Sequence, residues 1–201
     1  MADVGAGQRK FTRPIAQGVL EVAQRKAASK LNVFVAGPYV ELGWTAEQRA
    51  EASAGALLRI ALLDMVASLE HQYVLGEHRG VSEVTADNIP SQASIALSEL
   101  QLVESADAII IVPDSPGSFC ELGAWSIRDD LCPKTLILGN SRFREGISYV
   151  GHGVFPMAQN LHATVEWVEY EDLPAAQAIV ESFLSHIQDR IISRMLRRGR
   201  G

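Results

Sequence analysis

Five short apolar runs, each closed by glycine, proline or a polar turn, alternate along this chain with stretches whose apolar residues recur every three to four positions. The first run, Asn32-Val-Phe-Val-Ala-Gly-Pro-Tyr39, is nearly continuous and ends on Gly-Pro, the pattern of a strand buried on both faces. Gln72 to Leu75, Asp107 to Pro113, Lys134 to Gly139 and Thr164 to Val168 supply the other four predicted strands. Between them, Thr45 to about Glu70 places Ala56, Leu57, Ile60, Leu63, Val66 and Ala67 at helical spacing, and Thr45 with Gln48 fits a capping box, so one long helix is predicted there. Helices are also predicted over Pro14 to Leu31, Ser91 to Ser105, from Ser118 onward, and Pro174 to about Leu196, where Pro174 sits in the first turn. Strands alternating with helices imply an α/β fold, a doubly wound, mostly parallel five-stranded sheet with extra N- and C-terminal helices. Residues 1–10 are expected to be disordered, 11–196 to form a single domain, and 197–201 a basic tail.

Composition narrows the partners. The chain has 201 residues, 47% hydrophobic and 21% charged, enough for one full core. Its formal net charge of -6 favours a small-molecule ligand over a polynucleotide, and direct nucleic-acid binding is expected only through the cluster Arg194, Arg197, Arg198 and Arg200. Cys120 and Cys132 have no ligand partners at zinc spacing, so no metal and no cofactor are expected. No apolar run approaches the roughly 20 residues of a membrane span, and residues 1–10 lack the apolar centre of a signal peptide, which together lead us to expect a cytoplasmic protein.

Candidate chemistry gathers at strand ends. In Ser115-Pro-Gly-Ser118, Gly117 lets a ligand approach the backbone, and Ser118 is read as the cap of the following helix, leaving amide N–H groups for a phosphate, ribose or carboxylate. Glu121, three residues on, is either the reciprocal partner of Ser118 in a capping box or a carboxylate aimed at a bound sugar. In the second role it would stabilise oxocarbenium character at the anomeric carbon or attack it. Gly37, Pro38 and Tyr39 end the first strand, where Tyr39 could stack on a base. Asp87 and Asn88 lie in a long polar loop within reach of a ribose, Asp114 precedes the turn, Trp44 could cover the pocket, and His152 stands in a Gly-flanked loop with Tyr149 and Phe155.

Three segments, Val33-Phe-Val-Ala-Gly-Pro-Tyr39, Ser105-Ala-Asp-Ala-Ile-Ile-Ile111 and Ser115-Pro-Gly-Ser-Phe-Cys-Glu-Leu-Gly123, resemble nucleoside 2-deoxyribosyltransferases and their relatives over about residues 32–140. The resemblance implies a flavodoxin-like, Rossmannoid sheet, with Glu121 at the position of the family's catalytic glutamate and Glu99 at that of an acidic residue orienting ribose or base. Where the transferases commonly carry an aspartate just before the turn's glycine, this chain has Asp114 followed by Ser115-Pro116. In that wording it is similar to the deoxyribosyltransferase-like effectors of bacterial anti-phage systems, retron-associated ones included, and in logic to TIR-type NAD glycohydrolases.

These readings lead to an N-glycosidase acting on NAD or a (deoxy)nucleoside or nucleotide, with Glu121 catalytic and Gly37, Pro38, Tyr39, Asp87, Glu99, Asp114, Ser115, Gly117 and Ser118 binding substrate. The alternatives are a transferase exchanging bases and a domain that binds a nucleotide signal without turnover. The two terminal helices offer more apolar surface than one sheet needs, so a homo-oligomer or a protein partner is expected.

Overall fold

The computed structural model describes residues 24–26, 28–76, 92–145 and 148–198. Its strands are β1 (Asn32–Ala36), β2 (Gln72–Val74), β3 (Ala108–Ile111), β4 (Thr135–Asn140) and β5 (Thr164–Val168). They form one sheet in the order β2-β1-β3-β4-β5, and every pair is parallel. The fold is thus a doubly wound, Rossmann-like α/β fold, and its sheet is parallel throughout rather than mostly so. Burial explains the sequence pattern: β3 and β4 are buried at every position and β1 at all but its first, as continuous apolar runs require, while edge strand β5 alternates.

Helices cover both faces. Helices α1 (Ala46–Ala50), α2 (Ala54–Ser68), α3 (Gln92–Ser105), α4 (Pro116–Trp125), α5 (Phe155–Asn160) and α6 (Leu173–Arg198) follow in chain order. Phe34, Ala36, Ile109, Ile111 and Ile137 pack with Val103 of α3, Leu122 and Trp125 of α4, and Phe155 and Ala158 of α5. The intervening residues Val33, Val35, Ile110, Leu136 and Leu138 are as deeply buried, on the opposite face. Removing each such Val, Leu or Ile from water contributes roughly 1.5–3 kcal/mol, which is what holds five parallel strands together.

Two expectations change, and others fall on residues outside the described ones. The single helix foreseen over Thr45 to Glu70 is two: the Thr45/Gln48 capping box starts α1, the chain then breaks, and the Ser53 side chain accepts the Ala56 amide to start α2. The segment read as a Gly-flanked loop around His152 is helical, a π-turn over Val150–Val154 running into α5. The leading helix is described only at residues 24–26 and 28, and Pro14 to Ala23, the loop with Asp87 and Asn88, and Arg200 lie outside the described residues.

By internal contacts the residues Leu31–Ile187 make one compact unit. Within the other, Lys26 pairs with Asp189 at 2.9 Å and the Gln188 amide donates to the Ser29 carbonyl at 2.8 Å.

Two contacts fix the carboxyl end of β4. The buried Tyr170 hydroxyl donates to the Leu138 carbonyl at 2.8 Å, and burial pushes its phenol far above the ordinary range. Gly139 lies under two rings: a Cβ there would stand 2.7 Å from Phe155 and 2.8 Å from Trp167. We predict that Gly139→Ala, by forcing those rings off the sheet, destabilises the protein by about 1–3 kcal/mol in urea unfolding. A change below about 0.5 kcal/mol would show that the rings move aside at no cost.

Candidate functional site

In a parallel sheet of this order the strands are added in opposite directions on either side of the β1–β3 boundary, and the crevice outside the carboxyl ends at such a switch point is where open α/β sheets take ligands. Both predicted segments arrive there. β1 and β3 are register partners up to Ala36 and Ile111, and the Val112 amide donates to the Ala36 carbonyl at 3.0 Å. Gly37 follows at once, so close to the neighbouring strand that a Cβ would lie 3.2 Å from the Val112 carbonyl oxygen and 3.1 Å from Arg59. Pro38 is buried, whereas Tyr39 is 60% exposed and its hydroxyl donates to Glu41 at 2.8 Å.

The turn after β3 is built differently from the sequence reading. Ser115, not Ser118, is the N-cap of α4: its hydroxyl accepts the Ser118 amide at 3.2 Å, and Pro116 occupies the first helical position. Ser118 is the reciprocal partner, buried to 1% exposure, its hydroxyl accepting the Ser115 and Asp114 amides at 2.9 and 3.1 Å. The Ser118 side chain is therefore committed to the turn. Gly117 is exposed, with nothing nearer to a Cβ there than the Ser115 hydroxyl at 4.0 Å, so its side of the helix end is open to solvent.

This reassignment removes one of the two roles left open for Glu121. The capping box closes within Ser115 and Ser118, so Glu121 takes no part in it and stands one turn further along α4. The stripe Ser118, Leu122 and Trp125 faces the sheet, placing Phe119 and Glu121 on opposite flanks of it. Trp125 meets Phe34 of β1 edge-on at 5.8 Å, and Phe119 lines a cavity with Asn140 and Trp167 of β4 and β5. Glu121 consequently lies on the β1 flank, half-buried, with its Oε2 shut off from solvent. Glu99, also half-buried, extends from α3 over the end of β2: its Oε1 would lie 2.6 Å from a Cβ at Gly76, so the glycine makes room for the carboxylate. Both glutamates thus come from helices on the same sheet face.

Asp114 turns out to be a joint. Its side chain is only 8% exposed; Oδ2 accepts the Gly55 amide at the start of α2 at 3.2 Å, and Oδ1 pairs with Arg142 at 3.0 Å. A Cβ at Gly55 would collide with this carboxylate at 2.5 Å, so only glycine allows the contact.

Sequence reasoning missed Arg59. Its side chain, 2% exposed, donates to the Val35 carbonyl through Nε and Nη2 at 3.1 and 2.8 Å and to the Gly37 and Pro38 carbonyls through Nη1 at 3.3 and 2.7 Å. One guanidinium thereby shapes the end of β1 and sets the backbone that forms one wall of the crevice. Trp44 is half-buried and His152 exposed, its Nδ1 3.3 Å from the Ser148 carbonyl. Among the described residues no cluster of His, Cys, Asp or Glu could hold a metal ion, and no helix is long and apolar enough to cross a membrane.

Comparison with known proteins adds two findings. A family model described as STM3845 retron effector protein matches residues 61–197, more than half of the chain. An Escherichia coli protein, named for retron Ec86 as a candidate ribosyltransferase/DNA-binding protein, is 39% identical over 62 residues, which are 31% of this chain and 20% of that protein. The chain therefore matches only about a fifth of that relative.

Proposed function

We propose, since this chain belongs to the STM3845 retron effector family, that it serves anti-phage defence as an N-glycosidase of the deoxyribosyltransferase-like type, cleaving the bond between base and sugar in NAD or a (deoxy)nucleotide. What supports the reading is Glu121 itself: it stands outside the capping box, one turn into the helix that follows β3, with one carboxylate oxygen shut off from solvent. A carboxylate in such surroundings is poorly solvated, so positive charge developing on a sugar ring stabilises it as much as it stabilises the sugar. Either it collapses onto the anomeric carbon, releasing the base and leaving a glycosyl-enzyme for water to open, or it holds the cation while water adds directly.

The rest of the crevice supplies positioning. The open helix end at Gly117 suits a phosphate or ribose hydroxyls, Tyr39 offers an exposed ring for the base, and Glu99 a second carboxylate for the sugar. The Ec86 relative's name joins ribosyl transfer to DNA binding, which makes deoxynucleotides the first substrates to test beside NAD. The test is to incubate the protein with NAD, nucleosides and nucleoside monophosphates, with and without an added acceptor base, and to separate the products by chromatography. Free base without a swapped nucleoside is expected. A swapped nucleoside would replace hydrolysis by transfer, and intact substrates across the panel would overturn the enzymatic reading.

A further inference from the structure

On the opposite flank of α4 lies a second concavity of about 280 Å³ at the carboxyl ends of β4 and β5. Phe119, Phe143, Phe155 and Trp167 line it, and the Phe155 and Trp167 rings lie 4.9 Å apart, tilted by 48°, over Gly139. Two polar residues join this lining, the exposed Ser148, whose hydroxyl accepts the Gly151 amide at 3.0 Å, and the buried Asn140. Asn140 is 6% exposed, and its Oδ1 accepts the Arg142 amide at 3.1 Å, which fixes which end of the side-chain amide is which. Its Nδ2 group therefore remains as an oriented donor, with no hydrogen bond to it among the described residues. At the neighbouring turn, Arg142 stacks 4.5 Å above the Phe143 ring and keeps 60% of its side chain exposed.

From this arrangement we infer that the cavity is a binding site for the planar base of a nucleotide, separate from the crevice that holds Glu121. Flat π-faces suit stacking, and a single fixed donor suits a ring nitrogen or carbonyl acceptor on the edge of the base. The size points the same way. Pockets for drug-sized ligands run from roughly 300 to 1,000 Å³, so this one has room for one base and not for a dinucleotide. Arg142, at the turn beside the cavity, pairs with Asp114 through Nη2 and keeps its other guanidinium donors for the attached phosphate. The base could belong to a free nucleotide or to a nucleotide within a single strand, since both present the same ring and phosphate.

The experiment uses the full chain carrying Glu121→Gln, so that turnover at the other site plays no part. It is titrated with AMP, GMP, CMP and UMP, and separately with a single-stranded oligodeoxynucleotide, while the Trp167 indole signal is followed by NMR. The expected result is a saturable shift of that signal with at least one probe, weakened roughly tenfold or more by Asn140→Asp, which keeps an acceptor for the Arg142 amide but loses the donor. Val150→Phe, which fills the cavity from its half-buried wall, should abolish the shift. A response to mononucleotides identifies a free ligand, and a response to the strand alone identifies a strand-borne base. An unmoved Trp167 signal with every probe, or binding that persists unchanged in both folded variants, overturns the inference. Base release by the unsubstituted chain is scored separately, so failure here leaves the Glu121 reading intact and the converse also holds.

Discussion

Glu121→Gln is expected to slow the release of base from whichever substrate the chain cleaves by roughly 10²–10⁴-fold, while the melting temperature moves by no more than about 2 °C. The substitution keeps the shape of the side chain and one carbonyl-type oxygen, so packing along the flank of α4 is retained. What it removes is the negative charge. An amide neither attacks an anomeric carbon at a useful rate nor compensates the charge of an oxocarbenium ion, so the loss belongs to the transition state and should appear in kcat more than in KM. Because the cap of α4 is made by Ser115 and Ser118, no loss of helix stability should accompany it. Stability by itself does not separate the roles, because a glutamine closes a capping box as Gln48 does for Thr45; the loss of turnover is what the experiment reads. A variant whose rate stays within about threefold of the unsubstituted chain would remove Glu121 from the mechanism.

The strands were legible because burial on both faces leaves an unmistakable run, as in Val33 to Ala36 and Ala108 to Ile111, and the order of strands and helices then implied the doubly wound sheet. The cap of α4 was misplaced because two serines three apart each have a plausible partner three residues further on. The available signal was Pro116, whose preferred place at the first helical position makes Ser115 the cap. The helix after Tyr149 stayed hidden because Gly151 and Gly153 read as loop and a π-turn breaks the usual spacing. From the sequence Asp114 reads as a substrate-binding residue beside the turn. Its attachment to Gly55 and Arg142 could not be read, because both partners are remote in sequence and come together only through the fold.

Arg59 was the least legible residue, and replacing it should give the largest change in stability. In the run Ala54-Gly-Ala-Leu-Leu-Arg-Ile-Ala-Leu-Leu63 it is the lone charge, and arginines on apolar helices usually extend their heads to water. This one turns inward and serves three carbonyls at the end of β1. Arg59→Met fills much of the same volume with no donor, leaving the carbonyls of Val35, Gly37 and Pro38 short of partners inside the protein. At about 1–3 kcal/mol for each buried group left unsatisfied, the loss should be at least about 3 kcal/mol. For a chain of this length that is a fall in melting temperature of roughly 6–12 °C. Arg59→Lys should fall between, since an ammonium carries the charge but cannot span several carbonyls with the planar fork of a guanidinium. Base release should drop in the methionine variant even well below its melting temperature, because the wall of the crevice formed by Gly37 and Pro38 is held from behind by this one side chain. Unfolding monitored by circular dichroism beside activity at 20 °C tests both parts. A melting temperature within about 2 °C of the unsubstituted chain would mean that the end of β1 holds its shape without the guanidinium.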